Sequence, residues 1–598
     1  MTLDDFNRIM SEYDSPANKG FDVFELARAL RSAYPHDKPV VDNCIEYEIT
    51  AFQFVEKYSK ENNPWGDYYY GPTYANLDSK GIWHTAPDLE SLTEEMVNYW
   101  LQRLSDAKNP LLAAWYGGLV YEFYKKVFRK PAPYKIVEKH LDTIINLTKG
   151  NYDISQLHTF YKLERALSIA ISFNKPGHII QIKDVLIEYE NKHGEDQKAG
   201  TFGYSIELLV DNAKVALAKD EENDIVSRLT GRLKRQSELG TRDEDFNPSS
   251  VERAARLLAA YHSKRKQEDD LQRVFNLYQA AIDKIVALDS PMISNSYLAQ
   301  QIDFCTCYGP KEEKDALLAR MQEIGKAIPG GLKEISVPLS IPKEKLDRLC
   351  EDLLSGDTDN IFAKITYYFI PKYRVEEQQV LELSKVSISS LISISILDDN
   401  GRTVATIGSV KDDLEGRTFY HLAETLRISS VFLDFVFERA VNEGIINIEN
   451  VLAFLRNSFT IKENQFTLIE LALKHFFAGE YAAFIHIAIP QIEVALRNVI
   501  ELSGHTTYCP NDENGYDVYT LGKILSHPAV AAIDEDMICY FNVILSNRKG
   551  WNLRNNVSHG LLSEKDFNKL TANMVLHALL CLGIIRNSAT NDDEKGIG

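Results

Sequence analysis

Cysteine is sparse in this chain: seven among 598 residues, at Cys44, Cys305, Cys307, Cys350, Cys509, Cys539 and Cys581, with no Cys-x-x-Cys pair. That odd, scattered set argues against a zinc ribbon or a disulfide framework and fits reduced thiols in the cytoplasm. Long apolar runs are missing too. The longest, from Val575 to Ile585, contains His577 and falls well short of the roughly 20 residues that span a bilayer. It reads as a buried helix, and no membrane partner is expected. The start, Met1-Thr2-Leu3-Asp4-Asp5-Phe6, has neither the basic residues nor the apolar stretch of a signal peptide, so the expected location is cytoplasmic. Positive charge is in deficit, with 66 Lys and Arg against 86 Asp and Glu and a net charge of −20. General affinity for nucleic acid needs many cationic contacts to phosphates, so any nucleic-acid chemistry here has to be local. There is no Gly-x4-Gly-Lys-Ser/Thr loop and no His-Glu-x-x-His, which argues against an NTPase or a zinc hydrolase. Asp184 with Glu190-Asn191-Lys192 has the residue types of a metal nuclease but sits in an ordinary solvated helical pattern, and Cys305-Thr306-Cys307 lacks further ligands. Neither a metal nor a cofactor is expected.

What is present is a folded, multidomain composition, 44% hydrophobic and 25% charged. The expected fold class is mainly α. From about Leu89 to Ile328, apolar residues recur at intervals of three and four in segments such as Leu111–Phe128, Tyr134–Leu147, Gln156–Phe173, Val251–His262, Leu271–Ala287 and Lys314–Ala327. This predicts an N-terminal helical array over residues 1–330, without a fixed repeat period. Within it, between Glu61 and Leu89, lies a loop dense in Pro, Gly and aromatics, including Trp65, Tyr68, Tyr69, Tyr70 and Trp83-His84. It reads either as a packed loop or as an exposed recognition surface. Helix-stopping residues at Ile328-Pro329-Gly330-Gly331, Pro338 and Pro342, with Ser340 as a cap, mark a boundary. A small mixed α/β middle region, 331–460, is expected to hold a β-hairpin near 391–407, where Ile392, Ile394 and Ile396 alternate with serines before Asn400-Gly401. Helices should resume near Tyr420 and form a helical bundle over 461–598.

Arginine followed by histidine four to six residues later occurs four times: Arg31/His36, Arg256/His262, Arg417/His421 and Arg554/His559. The first three read as structural. The last lies in Leu553-Arg554-Asn555-Asn556-Val557-Ser558-His559-Gly560, where two amides suited to phosphate or ribose oxygens follow the arginine and a glycine lets the helix stop after the histidine. Arg548 and Lys549 add a local cationic patch to a segment, 461–598, that has 16 acidic and 11 basic side chains. Residues five apart on a helix are separated by about 140°, so either the helix ends near Ser558 or the two side chains flank a cleft. A second element is the apolar stretch Gly479–Leu502, in which His486, Pro490, Glu493 and Arg497 fall on one face at intervals of four, three and four. A buried ionic stripe requires partners, and the 554–559 segment could supply them; a purely structural Glu493–Arg497 pair is the alternative.

An acidic residue on one long helix and Arg-Asn-x-x-x-His near a second resembles the HEPN superfamily (higher eukaryotes and prokaryotes nucleotide-binding). The form Leu-Arg-Asn-x-x-Ala/Ser-His-Gly, here with Ser558, is similar to a bacterial family of unknown function assigned to it. Tyr99-Trp100-Leu101-Gln102-Arg103, Asn109-Pro110-Leu111-Leu112 and Trp115-Tyr116 also resemble the accompanying N-terminal region, although Trp115-Tyr116-Gly117-Gly118 replaces its usual Arg-Tyr-Ala-Asp. The resemblance implies metal-independent RNA cleavage by attack of the ribose 2′-OH. His559 would then handle the proton and Arg554 the charge developing on phosphorus oxygens. Asn555 would orient the phosphate or His559, and Glu493 would orient Arg554 or Arg497. Arg497, His486, Asn556, Arg548 and Lys549 would support or bind substrate. It further implies a homodimer through the C-terminal domain and a regulated toxin in anti-phage defence, with RNA as substrate and a phage or host protein as trigger. The competing expectation is a non-catalytic helical scaffold binding RNA, a nucleotide or a protein.

Overall fold

The structure, a computed structural model, describes residues 3–33, 43–57, 63–78, 82–153, 155–287, 290–333 and 341–586. Pro35, His36, Glu61, Pro338, Ser340 and residues 587–598 of the C-terminal segment lie outside them. The chain is mainly helical, with four two-stranded antiparallel sheets among the described residues. It divides into two units, Met1–Ile324 and Gly325–Gly598.

The first unit is a succession of helices in which sequence neighbours pack on one another. Local signals fix their ends. Helix Pro110–Phe128, for example, starts on Asn109, whose side chain accepts from the Leu111 N–H, has Pro at its first position, and stops where Arg129 turns left-handed at φ 58°. Asn109 is fully buried, and its amide also donates to the carbonyls of Tyr13, Ser15 and Asn18, tying this helix to the N-terminal one. The aromatic loop of the sequence contains short strands Tyr70–Pro72, Tyr74–Leu77 and Trp83–Ala86. Its two readings divide along its length: Trp65, Tyr68 and Tyr70 pack on Phe123, whereas Tyr74, Leu77 and Trp83 are exposed on the hairpin.

In the second unit, residues 331–460 and 461–598 contribute to a single hydrophobic core running from Cys350 and Phe362 through Leu433 and Phe454 to Leu496 and Leu579. The apolar stretch at 575–585 belongs to helix Lys569–Gly583, which is buried from Ala572 to Gly583 and packs against helices Leu414–Asn442, Ile448–Arg456 and Tyr481–Leu502. The hairpin of the middle region pairs Ile394–Leu397 with Thr403–Ile407, and residues 388–391 form a 3-10 turn ahead of it. Its turn positions Gly401, not Asn400, in the left-handed region at φ 73°. A register shift at Ile396/Leu397 accompanies it, as expected for a longer turn followed by a bulge rather than a two-residue Asn-Gly turn. Helix resumes at Leu414, and a further hairpin, Tyr508–Pro510 with Tyr516–Val518, interrupts the C-terminal helices. Helix Tyr481–Leu502 is long and apolar enough to cross a membrane by length and composition, but 61% of its apolar window is buried inside the unit. A core helix accounts for that burial.

Candidate functional site

The two elements singled out by the sequence meet. Glu493, on helix Tyr481–Leu502 and 8% exposed, accepts from Arg497 Nη2 through Oε1 at 2.9 Å and from Arg554 Nε through Oε2 at 2.8 Å. The first contact follows from the i,i+4 spacing of a helix; the second joins residues 61 positions apart. One carboxylate thus holds two permanently charged guanidinium groups, which leaves one net positive charge in a partly buried place where charge-assisted hydrogen bonds are strong. Arg497 also reaches the Tyr519 carbonyl at 3.5 Å, while its buried Nε has no partner among the described residues. Arg554 contacts Glu493 through Nε alone and grazes Asn555 Oδ1 from Nη1 at 3.4 Å. Its Nη2 has no hydrogen bond among the described residues and can donate to an incoming oxygen. Its side chain is 29% exposed.

Local chemistry explains how Arg554 is presented. Helix Glu535–Phe541 continues into one π turn, Asn542–Ser546, an irregularity frequent at functional positions. The chain then doubles back so that the Trp551 N–H bonds the Val543 carbonyl at 2.8 Å, a path that passes Gly550, where a Cβ would collide with that same carbonyl. Trp551 anchors the turn by donating its indole N–H to the Ala423 carbonyl. Asn552, 7% exposed, then takes a left-handed conformation at φ 52° and opens helix Leu553–Ser558. Its side chain accepts from Asn555 Nδ2 at 2.7 Å and donates to Asn556 Oδ1 at 3.4 Å. Asn556 in turn donates to the Trp551 carbonyl. The amides following Arg554 therefore brace the turn, which limits what they can offer a ligand.

Of the two geometries open at the 554–559 spacing, the structure has the helix ending at Ser558, with His559 as its C-cap. Gly560 follows at φ 63°, and the Leu561 N–H to Asn556 carbonyl and Gly560 N–H to Val557 carbonyl bonds complete a glycine-based helix stop. His559 is exposed, and its ring has no hydrogen-bond partner among the described residues. The other candidate residues are spread more widely. His486 is exposed, donates from Nδ1 to the Ala482 carbonyl, and stacks on Phe567 with ring centres 5.2 Å apart. Arg548 is exposed. Lys549 is drawn to Asp413, Nζ to Oδ2 at 2.7 Å, across 136 positions. Burial raises the Asp413 carboxyl, but the Lys549 ammonium and the N–H groups of Gly416 and Gly408 outweigh it and hold the group below the usual carboxylate range.

Sequence reasoning missed Asn552, whose side chain makes no capping hydrogen bond; the available signal was the tolerance of asparagine for the left-handed conformation. It also missed Asp413, which carries a local signal as the residue capping helix Leu414–Asn442 through the Gly416 N–H, although nothing local points to its pairing with Lys549. Of the remaining Arg/His pairs, the two with both members described hold structure together. Arg256 pairs with Glu252 and Asp303, His262 with Gln267, Arg417 with the Gly408 carbonyl and His421 with Glu376. Glu190 binds the N–H groups of Gly203 and Ser205, and Asp184 pairs with Lys183. No group of three or more His, Cys, Asp or Glu side chains able to hold a metal ion occurs among the described residues. No protein-family model, curated protein or solved structure matches the chain.

Proposed function

We propose that the Gly325–Gly598 unit is a HEPN-like endoribonuclease that cleaves RNA without a metal ion. The observation that carries this reading is the junction at Glu493, where a buried carboxylate fixes Arg554 at the mouth of the Leu553–Gly560 motif. In the proposed step the ribose 2′ oxygen forms a bond to phosphorus as the bond from phosphorus to the 5′ oxygen breaks, leaving a 2′,3′-cyclic phosphate and a 5′-OH. The His559 imidazole accepts the 2′-OH proton or supplies one to the leaving oxygen. The unused Arg554 donors bind the non-bridging oxygens as charge builds on them. Glu493 is a positioning residue, since it touches Arg554 and Arg497 rather than the reacting atoms. A homodimer would face two such motifs across one groove and bring a second Arg554 and His559 to the same phosphate. A regulated bacterial toxin of anti-phage defence, triggered by a phage or host protein, is the biological setting this chemistry suits.

The test is RNA cleavage by the purified chain in the presence of a chelator, beside His559→Ala, Arg554→Ala and Arg554→Lys. Loss of product in the alanine variants is expected, and equal activity in all of them would sink the assignment. A second reading, a non-catalytic domain that binds RNA, a nucleotide or a protein, is favoured by the unpartnered, exposed His559 ring and by the pairing of Lys549 with Asp413. RNA retention without cleaved product would select it.

A further inference from the structure

The first unit contains a cavity of about 390 Å³ between the strand Phe54–Glu56, the start of helix Val23–Ala33 and the facing sides of helices Pro110–Phe128 and Gln156–Ser172. Its size lies within the roughly 300–1,000 Å³ of small-molecule pockets, which are mostly apolar with a few fixed polar groups. Five aromatic rings line it: Phe21, Phe24, Tyr69, Trp115 and Tyr161.

Its charged groups are already matched in a telling way. Lys162, with 7% of its side chain exposed, is held between Glu56 Oε2 at 2.8 Å and Asp153 Oδ2 at 2.9 Å. Lys57 is taken up by Glu164 at 3.0 Å and lies 3.5 Å over the Tyr161 ring. Both ammonium groups are thus neutralised, and the wall carries three carboxylates, Asp22, Glu56 and Asp153, against those two ammonium groups and the exposed His158 imidazole. A phosphate would be repelled there. Hydrogen-bond capacity remains on the acceptor side. Asp22 uses Oδ1 to cap the Phe24 N–H at 2.9 Å, and its Oδ2 has no further partner among the described residues. The Tyr69 hydroxyl also lacks a partner among them, but it is closed off even to water and so offers nothing to a ligand.

We infer that this cavity is a binding site for a flat, nitrogen-bearing aromatic molecule without phosphate, of the nucleobase or nucleoside class. The rings stack on the base, and Asp22 accepts from its exocyclic amino or ring N–H. Stacking on aromatic side chains and a charge-assisted hydrogen bond are the two contributions that make such a site selective. The site is independent of the RNA-cleaving reading of the second unit.

The full chain titrated with adenosine, guanosine and cytidine, and with their 5′-monophosphates, tests this by calorimetry and thermal shift. At least one nucleoside should bind and raise the unfolding midpoint, with its monophosphate at least about tenfold weaker. The variant Asp22→Asn keeps an oxygen to cap Phe24, so its midpoint without ligand should be unchanged. Its affinity should fall about ten- to a hundredfold, the worth of a hydrogen bond to a charged group. Failure of all three nucleosides to bind, monophosphates that bind as well as nucleosides, or unaltered affinity in folded Asp22→Asn would each overturn the inference. The wild-type panel decides by itself if Asp22→Asn proves unstable.

Discussion

Replacing Glu493 by Gln removes the negative charge that holds Arg497 and Arg554 together while keeping a side chain of the same shape. Truncating one partner of a buried ion pair costs about 3–5 kcal/mol because the other charge is left uncompensated. Here the cost is moderated. The side chains of Arg497 and Arg554 are 16% and 29% exposed, so water can solvate part of each, and a Gln oxygen can still accept one N–H. About 2 kcal/mol is the resulting expectation, which for a unit of this length lowers the melting temperature by roughly 3–4 °C. Calorimetry of the full chain should show one transition moving by that amount. Hydrogen exchange should locate the effect, with faster exchange in the helix Leu553–Ser558 and the turn before it. A cycle with Arg554→Met adds a second check, since the cost of losing Arg554 should shrink once Glu493 is uncharged. A midpoint shift under about 1 °C, together with unaltered exchange in that helix, would refute the claim that Glu493 holds Arg554 in place.

Asn552 sits at φ 52° and braces both Asn555 and Asn556, so Asn552→Ala should cost about 1–2 kcal/mol in backbone conformation plus the lost side-chain bonds. Asn552→Gly, free of the conformational part, should recover about half of that in denaturant unfolding; equal losses in the two variants would show that the backbone conformation is not the constraint. Stability should also depend on pH through His577, fully buried beside Phe369 and hydrogen-bonded to the Tyr540 hydroxyl. Burial pushes its imidazole from 6.5 down to about 4. Between those values the unfolded chain takes up a proton that the folded one does not, so stability is intact above pH 6.5 and is lost as pH falls towards 4, by an amount on the order of 3 kcal/mol. Melting curves between pH 7 and 4.5 check this, with a shallower dependence expected in His577→Gln; a pH-independent transition over that range would contradict it. In the other unit, burial and the nearby Arg165 push His140 down to about 3, and it contributes with the same sign.

Much of this protein can be read along the chain, because helices and turns are built from contacts within a few residues. The amphipathic segments of the first unit, the buried stretch at 575–585, the Glu493–Arg497 pair and the glycine stop at Gly560 all follow from spacing and residue type. Other features depend on which distant segments pack together, and nothing near a residue reports that. Arg554 reaching Glu493, Lys549 turning to Asp413, and residues 331–460 sharing a core with the C-terminal helices are settled only in three dimensions. The same holds for the cavity beside Lys162, whose lining runs from Phe21 to Lys162. The motif Leu553–Gly560 stands between the two cases. Its residue types indicate a helix end with a charge and an imidazole, whereas the ionic partner of Arg554, and the exposure of His559 beyond the helix, were decided by packing around a carboxylate too costly to bury without two arginines.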